Sequence, residues 1–208
     1  MRDSMKNKLI MYLEDDNIHC FVKKENRLIT YHLLPKTLKF GKIIHRPKFQ
    51  KQLKTFLKKY KLIKRFRHNI IYFITPPTFE EVDKEIIKLI LDDLPVDEIK
   101  FIKEKNLYQL TKNSVWIHLN LNYAYFTYLQ KNEKTSLLWH KKINISLEEF
   151  LNLFLRNEPS IKKIVFIGSN HNIPLMASEY ERKTGKRVLY FEEYDKYLLK
   201  NANWHNFP

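Results

Sequence analysis

Short apolar segments separated by polar stretches near the start of the chain predict three short β-strands. The segments LIMYL, IHCFVK and RLITYHL, which begin at Leu9, Ile18 and Arg27, are separated by the polar stretches EDDN and KEN. Short apolar runs bounded by polar turns are typical of strands, and short polar connections favour antiparallel neighbours. The chain is therefore expected to open with a three-stranded meander.

The pattern then changes to a helical period. Apolar side chains recur three or four positions apart between residues 46 and 62, which predicts an amphipathic helix. The buried strand NIIYFIT follows and is stopped by Pro76 and Pro77. Thr78 and Glu81 have the spacing of a capping box before the helix FEEVDKEIIKLILDD, and EIKFI predicts another buried strand.

The second half of the chain repeats this order. SVWIHLN, NYAYFTYLQ and TSLLWHKKI predict another meander, and Ser146 and Glu149 have capping-box spacing before the helix LEEFLNLFLRN. The strand KKIVFI, the helix IPLMASEYERKT, the strand RVLYF and the helix EEYDKYLLKN follow. Each half is β-β-β-α-β-α-β, so we predict an α/β protein of two lobes, residues 1–110 and 111–208. The last helix belongs to the second lobe or packs back on the first.

The formal net charge of +15 is concentrated in one segment of the chain. No Asp or Glu lies between Glu25 and Glu80, and that interval carries 14 Lys or Arg. The rest of the chain is nearly neutral, with 24 basic and 23 acidic side chains. Lysine outnumbers arginine 30 to 8, as is typical of proteins from AT-rich genomes, so the total charge alone is weak support for nucleic-acid binding.

The cysteine count and the apolar runs indicate the compartment. The single Cys20 lies beside Phe21 and Val22 and is predicted to be a small core residue rather than a reactive thiol. The first residues have too short an apolar run for a signal peptide. The uncharged run from Asn113 to Gln130 alternates as strands do, which argues against a membrane span. We expect a cytoplasmic protein.

Motifs in both halves resemble those of the actin-like ATPase superfamily, in particular its bacterial branch of MreB, FtsA and PilM. The segment GKIIHRPKFQKQLKTFLKKY, from Gly41, resembles a glycine turn and first large helix of that family, and IIYFITPPTFEEVDKEIIKLI resembles its strand, proline turn and helix. FIGSNHNIPLMASEYERKTGKRV is similar to its adenosine motif, with Gly168 at the strand end and Gly185 at the helix end. The resemblance implies two ribonuclease-H-like lobes, a minimal actin-like fold without the inserted lobes of the family.

The resemblance also implies where a nucleotide would bind, and the residues there are unsuited to it. Phosphate turns of the family need glycines, so that backbone N–H groups reach the phosphates, and an aspartate that organises metal and water. The positions of this degenerate site are Tyr12, Glu14, Asp15, His118, Asn120, Asn122, Gly168 and Ser169. The resemblance aligns Tyr12 with the family's aspartate and Glu14 with its glycine in the first turn, and in the adenosine motif only Gly168 is retained. We therefore expect a pseudo-ATPase, with no catalytic residue, cofactor, metal or small-molecule substrate.

Alternative chemistries can be weighed against this expectation. Glu14, Asp15 and Asp16 form either a divalent-metal site or a solvated turn, and the turn is favoured because one contiguous cluster supplies no distant ligands. A Mg-dependent ribonuclease-H-like nuclease would use Glu14 or Asp15 but lacks evident partner carboxylates. Several histidines lack the compact spacing of a zinc site: His19, His118, His140 and His171.

The predicted first helix and the residues after it carry a candidate basic interaction face. Its members are Lys48, Lys51, Lys54, Lys58, Lys59, Lys61, Lys64, Arg65 and Arg67. This face is a solvated helix surface, a site for an acidic partner or anionic membrane through residues 36–68, or a nucleic-acid site. No recognisable nucleic-acid-binding motif accompanies it.

Our leading hypothesis is a non-enzymatic, degenerate actin-like protein that acts as a protein-interaction module in a bacterial membrane-associated assembly. Cell division, shape determination and a pilus or secretion platform are the settings that the resemblance implies. Such a protein would be cytoplasmic and peripheral at the inner face of the membrane. The alternative is a basic nucleic-acid-binding protein.

Overall fold

The computed structural model describes residues 6–14, 17–39, 42–107, 110–120, 123–141, 144–168 and 173–191. Within these residues the chain forms two compact units that divide between Glu104 and Lys105. A short 3-10 turn, Glu104–Asn106, spans this point. Each unit contains a five-stranded mixed sheet and two α-helices.

The first unit places a meander beside two parallel strands. Its elements are β1 (Lys6–Leu13), β2 (Asn17–Val22), β3 (Arg27–His32), β4 (Leu38–Lys39), β5 (Lys42–Ile43), α1 (Arg46–Lys59), β6 (His68–Thr75), α2 (Glu81–Leu91) and β7 (Glu98–Lys103). The strand order is β3-β2-β1-β6-β7. β1, β2 and β3 are antiparallel neighbours, whereas β6 is parallel to β1 and β7 is parallel to β6.

Side chains of the central strand β1 alternate between two buried faces. Leu9, Met11 and Leu13 enter a hydrophobic core that also contains residues of both helices. Tyr12 and Glu14 lie on the opposite face and are buried as well. Burial on both faces explains why β1 and β6 are nearly continuous hydrophobic runs in the sequence. The helical residues of this core are Phe49, Leu53, Phe56, Leu57, Ile87, Ile90 and Leu91.

The second unit repeats the same topology. Its elements are β8 (Ser114–Leu119), β9 (Tyr123–Gln130), β10 (Glu133–His140), α3 (Leu147–Asn157), β11 (Lys163–Gly168), α4 (Ile173–Thr184) and β12 (Arg187–Phe191). The strand order, β10-β9-β8-β11-β12, corresponds position by position to that of the first unit. The duplicated β-β-β-α-β-α-β order predicted from the sequence is confirmed for the two five-stranded sheets and their helices. The short hairpin of β4 and β5 in the first unit was not predicted, and it has no counterpart among the described residues of the second unit.

Aromatic residues dominate the core of the second unit. The ring of Phe154, on α3, packs edge-to-face on Tyr128, with ring centroids 5.0 Å apart. Trp139 is buried and its Nε1 donates a hydrogen bond of 3.0 Å to the carbonyl oxygen of Ile145. Trp116 is also buried.

The two predicted capping boxes have different outcomes. At α3, Glu149 N–H donates to Ser146 Oγ (3.1 Å) and Ser146 N–H donates to Glu149 Oε2 (2.8 Å), as predicted. At α2 the prediction of Thr78 and Glu81 is wrong, because the N-cap is Glu80 and Asp83 completes the box. The N–H of Phe79 bonds to the carbonyl of Pro76, so the proline turn continues further and the helix begins later.

Other predicted features fall outside the described residues. They are the glycine turn at Gly41 and the last helix, residues 192–201.

Candidate functional site

The residues expected at the first phosphate turn lie at the β1–β2 hairpin. Glu14 and Asn17 close this hairpin: the N–H of Glu14 donates to the carbonyl of Asn17 (2.9 Å), and the N–H of Asn17 donates to that of Glu14 (3.3 Å). The loop between them has two residues, Asp15 and Asp16, and both lie outside the described residues.

The side chain of Glu14 is bound within its own sheet. Glu14 is only 3% exposed, and its Oε2 lies 3.2 Å from Nε2 of His19 on β2. The other ring nitrogen of His19, Nδ1, lies 3.1 Å from Oγ1 of Thr30 on β3. When Glu14 is ionised its carboxylate can only accept hydrogen bonds, and Nε2 of His19 is then the donor in this contact. This hairpin therefore holds carboxylate oxygens at the position where the sequence resemblance predicts a glycine.

Sequence reasoning missed His19 as a partner of Glu14, although the hairpin itself contains the signal. A two-residue loop after Glu14 sets the register of β1 and β2, in which Tyr12 lies opposite His19. The rings of Tyr12 and His19 have centroids 6.2 Å apart. Residues at diagonal positions on one face are within reach of long side chains, so the loop length alone would have predicted the Glu14–His19 contact.

The residues expected at the second phosphate turn lie at the β8–β9 hairpin. The N–H of Asn120 donates to the carbonyl of Tyr123, and Nδ2 of Asn120 donates to the hydroxyl of the same tyrosine, both at 2.9 Å. His118 is 1% exposed. The side chains of His118 and Asn120 thus belong to the structure of the hairpin and its strand. Asn122 lies outside the described residues.

Gly168 ends β11 where this strand pairs with β8, and it has a structural reason to be glycine. Its φ is +128°, a conformation that L side chains rarely adopt. A Cβ on Gly168 would lie 2.2 Å from the carbonyl oxygen of Leu119 and 3.1 Å from Cδ2 of His118. The close approach of two strands therefore requires this glycine. Ser169 lies outside the described residues.

Gly185 follows α4 and ends it in the left-handed conformation. Its φ is +62°, and its N–H donates to the carbonyl of Glu181 at 3.0 Å. This arrangement is a common helix C-terminal cap, and the sequence prediction of a helix end is confirmed.

The positions at which a nucleotide was predicted to bind occur in both units. Tyr12 and Glu14 share one face of the first sheet, whereas His118 and Gly168 are in contact in the second. Within the described part of the chain, no three His, Cys, Asp or Glu side chains form a group able to hold a metal ion. Cys20 is buried, and burial raises the pKa of its thiol, which makes it unreactive in the folded unit.

The lysines of α1 fall into two groups. Nζ of Lys48 donates to the carbonyl of Pro35 (2.6 Å), and Nζ of Lys54 contacts Oδ2 of Asp93 (2.5 Å), where the hydrogen bond lowers the pKa of Asp93. Three other members of the basic face on this helix are exposed: Lys51, Lys58 and Lys59. The buried face of the helix is the predicted one.

A structured loop continues the basic face beyond α1. Just beyond the C-cap of α1, Lys61 adopts the left-handed conformation (φ +50°). The N–H of Lys61 bonds to the carbonyl of Lys58, and the N–H of Leu62 bonds to the carbonyl of Leu57. These two bonds define a Schellman motif, which usually has glycine at the position of Lys61. Leu62 is buried and fixes the direction of the chain into the loop.

Phe66 lies at the tip of this loop, and sequence reasoning missed it. The N–H of Arg67 bonds to the carbonyl of Lys64 (3.3 Å), so Arg65 and Phe66 occupy the central positions of a turn. Phe66 is 93% exposed, and the guanidinium carbon of Arg65 lies 5.9 Å from its ring centroid. Arg65 and Arg67 are exposed too. We call residues 61–67 the basic aromatic loop.

A fully buried asparagine holds the basic aromatic loop in place. Oδ1 of Asn69 accepts from the N–H of Lys64 (3.0 Å) and from Nδ2 of Asn7 (2.8 Å). Nδ2 of Asn69 lies within hydrogen-bond distance of three carbonyl oxygens, those of Lys64 (2.8 Å), Arg67 (3.0 Å) and Pro95 (2.7 Å). The buried amide of Asn69 therefore links the loop that presents Phe66 to β6 and to the chain before β7.

Among the described residues, no helix is long and apolar enough to cross a membrane.

Known proteins resemble this chain in structure. No protein-family model and no curated protein matches it. Among solved structures, it resembles the ethanolamine utilization protein EutJ from Carboxydothermus hydrogenoformans, with a TM-score of 0.66, 10% sequence identity, and coverage of 94% of this chain and 88% of EutJ. MreB5 of Spiroplasma citri bound to ADP gives a TM-score of 0.64, 11% identity, and coverage of 94% of each chain.

A third solved structure is described in terms of its fold. It is a Bacteroides thetaiotaomicron protein with actin-like ATPase fold and unknown function, with a TM-score of 0.56, 8% identity, and coverage of 94% of this chain and 96% of that chain. At these identities the likeness shows the fold alone. The chain has a minimal actin-like fold of two lobes, as its sequence motifs predict.

Proposed function

We propose that this actin-like chain is a pseudo-ATPase that serves as a protein-interaction module in a bacterial membrane-associated assembly. The settings that fit such a module are cell division, shape determination and a pilus or secretion platform. Its place would be cytoplasmic, at the inner face of the membrane. The observation that carries the proposal is the basic aromatic loop, in which Phe66 is presented among cations on a buried support.

The loss of ATP hydrolysis is supported by the β1–β2 hairpin. Glu14 is buried and bound by His19 at a position where the family's turn brings backbone N–H groups to a phosphate. A carboxylate and a phosphate oxygen about 4 Å apart repel by roughly 4 kcal/mol at an effective dielectric constant of 20. The same Glu14–His19 contact disfavours the alternative of a Mg-dependent nuclease, which needs a carboxylate directed at a metal ion.

Attachment to an anionic membrane is supported by the energetics of the basic aromatic loop. Basic side chains near such a surface contribute about 1 kcal/mol each. The loop provides four: Lys61, Lys64, Arg65 and Arg67. Burial of Phe66 in the interfacial region adds about 2 kcal/mol. Together these contributions reach about 6 kcal/mol, enough for reversible binding at a surface rather than permanent insertion.

Nucleic acid is a weaker candidate for the same surface. Proteins that bind single strands combine a basic groove with several aromatic side chains on which successive bases stack. The basic aromatic loop has one exposed aromatic residue, Phe66, at the tip of a narrow turn. A single apolar tip surrounded by cations fits the boundary between lipid headgroups and acyl chains better.

Vesicle co-sedimentation tests the membrane role. The protein should bind vesicles rich in phosphatidylglycerol and not vesicles of phosphatidylcholine alone. Phe66→Ala removes about 2 kcal/mol and should weaken binding roughly 30-fold, and Arg65→Glu with Arg67→Glu should abolish it. Tyr190→Ala and Arg182→Glu are matched controls, because they change an exposed aromatic residue and an exposed arginine of the second unit.

Two outcomes would contradict the proposal. Equal binding of the Phe66→Ala variant and the unchanged protein would show that the loop is not the contact. Salt-sensitive binding to DNA or RNA, without vesicle binding, would instead favour the nucleic-acid alternative. The pseudo-ATPase part is tested separately: ADP or a non-hydrolysable ATP analogue with Mg²⁺ should leave the melting temperature unchanged, and clear stabilisation would contradict it.

A further inference from the structure

Strand β10, residues Glu133–His140, is the outer strand of the second sheet. In the described part of the chain it pairs with β9 on one side, and no strand lies on its other side. An open strand edge presents N–H and C=O groups to any strand of suitable length. The strand has eight residues and contains no proline, so its hydrogen-bonding potential is continuous.

The hairpin turn determines which backbone groups point outward. Lys131 and Asn132 both have positive φ, 49° and 69°, as in the type I′ turn of a two-residue hairpin. The pair that closes this turn, Gln130 and Glu133, is hydrogen-bonded. Along the ladder, hydrogen-bonded pairs alternate with non-hydrogen-bonded pairs. Lys134, Ser136 and Leu138 therefore direct their N–H and C=O groups away from β9. Consistently, the carbonyl of Lys134 accepts a hydrogen bond from the side chain of Lys105 at 2.9 Å.

The middle of this edge is also apolar. Leu137 is 37% exposed and Leu138 is 36% exposed, and because they are consecutive in a strand they lie on opposite faces of the sheet. Natural proteins usually protect open edges with charges, proline or bulges. Here the Lys105 contact protects only the end near Lys134, and the two leucines lie beyond it.

We propose that two copies of this chain pair antiparallel through β10, with the two-fold axis at Leu137. In this register Ser136 lies opposite Leu138 of the second copy, and both have outward backbone groups, as a hydrogen-bonded pair requires. Leu137 lies opposite Leu137 of the second copy in a non-hydrogen-bonded pair, where side chains approach most closely. The five-stranded sheet that contains β10 in one copy then joins the same sheet of the second copy to form one continuous sheet.

Charge complementarity favours a second copy of this chain and this register. An axis at Leu137 brings Glu133, the first residue of β10, beside the exposed Lys141 that directly follows β10 in the second copy, and the two-fold symmetry creates this pair twice. An axis at Ser136 would instead place Glu133 opposite Trp139, and one at Leu138 would place Ser136 opposite His140. Among these neighbouring registers, only the axis at Leu137 pairs opposite charges and joins the leucines.

Cysteine cross-linking tests both the partner and the register. Opposed Cα atoms of a non-hydrogen-bonded pair are about 4.5 Å apart, within the range for a disulfide. Leu137→Cys should therefore form a covalent dimer under mild oxidation. Ser136→Cys is the matched control, because in this register its two copies are offset along the strands beyond the disulfide limit of about 7 Å. The buried native Cys20 should not cross-link.

A mass measurement completes the test. Light scattering should show a concentration-dependent dimer that Leu138→Pro abolishes, since proline removes an outward N–H while leaving the β9 ladder intact. Leu138→Lys should have the same effect if the proline variant does not fold. A monomer at every concentration with no Leu137→Cys cross-link would overturn the proposal, and cross-linking of Ser136→Cys instead would overturn the axis at Leu137.

Discussion

Replacing Asn69 by alanine should destabilise the first unit and release the basic aromatic loop. Asn69 is fully buried on β6, and its amide binds Lys64, Arg67, Pro95 and Asn7. Alanine keeps the strand but removes both the acceptor and the donor of this amide. The loop that carries Phe66 then loses its side-chain support.

The size of the effect follows from these bonds. Each intramolecular hydrogen bond contributes about 1 kcal/mol net, and a buried group left without a partner costs about 1–3 kcal/mol. Arg67 and Pro95 are exposed, so water can replace the amide at their carbonyls, whereas Asn7 is buried and loses one of its partners. We therefore expect a loss of about 3 kcal/mol in the free energy of unfolding of this unit.

The single cysteine provides an assay specific to the first unit. Cys20 lies on β2 of the same sheet, and burial raises the pKa of its thiol, so labelling by an aromatic disulfide reagent requires the unit to open. The labelling rate then follows the opening equilibrium. A loss of about 3 kcal/mol should accelerate labelling roughly 100-fold.

Arg65→Ala is the matched control for Asn69→Ala. It alters the same loop at an exposed side chain but leaves every bond to Asn69 in place, so Cys20 labelling should be unchanged while vesicle binding weakens. If Asn69→Ala accelerates labelling no more than Arg65→Ala does, the amide does not support the unit as we infer, and this reasoning is refuted.

Three further predictions concern glycines, the left-handed lysine and a helix cap. Gly168→Ala should cost more than about 3 kcal/mol, because its Cβ would overlap the Leu119 carbonyl, whereas Gly185→Ala, with open space around it, should cost about 1 kcal/mol; thermal denaturation compares them. Lys61→Gly should raise the unfolding free energy in urea by about 1 kcal/mol, since glycine adopts the left-handed conformation without strain. The N–H and hydroxyl of Ser146 lower the pKa of Glu149 below its ordinary 4.5. The stability that Glu149 contributes is therefore present above pH 4.5 and is lost as the pH falls through the lowered pKa. In urea titrations at several pH values, Glu149→Gln should reduce the fall of the unfolding free energy at acidic pH.

Local signals in the sequence predicted element bounds well where they were strong. Helix α3 and strand β12 have the predicted bounds, and α4 ends before Gly185 as expected. The capping box at Ser146 and the glycine after α4 form their hydrogen bonds within about one turn of the chain, so they depend little on distant contacts. At α2 the N-cap is Glu80 rather than Thr78, with Asp83 at the N3 position, because the proline turn continues as far as Phe79.

Functional features that depend on pairing were harder to predict. The contact between Glu14 and His19 follows from the register of β1 and β2. In the sequence, the only sign of that register is that the loop between the strands has two residues. Phe66 could not be singled out within the basic segment, because no local sequence pattern predicts whether one aromatic side chain will be exposed. The hydrogen bonds of Asn69 connect the loop that carries Phe66, strand β6 and the chain before β7. These three segments meet only in the folded unit.

Gly168 and Glu14 carry different information about a nucleotide. The sheet itself requires Gly168, because any Cβ there would meet the Leu119 carbonyl at 2.2 Å whether or not a nucleotide binds. Its presence in a motif that resembles an adenosine-binding segment is therefore not an argument for binding. The backbone of a two-residue hairpin does not require an acidic residue at position 14. A buried carboxylate needs a hydrogen-bonding partner, and for Glu14 that partner is His19. A residue that the fold requires says little about the ligand, and for that reason the pseudo-ATPase proposal depends on Glu14.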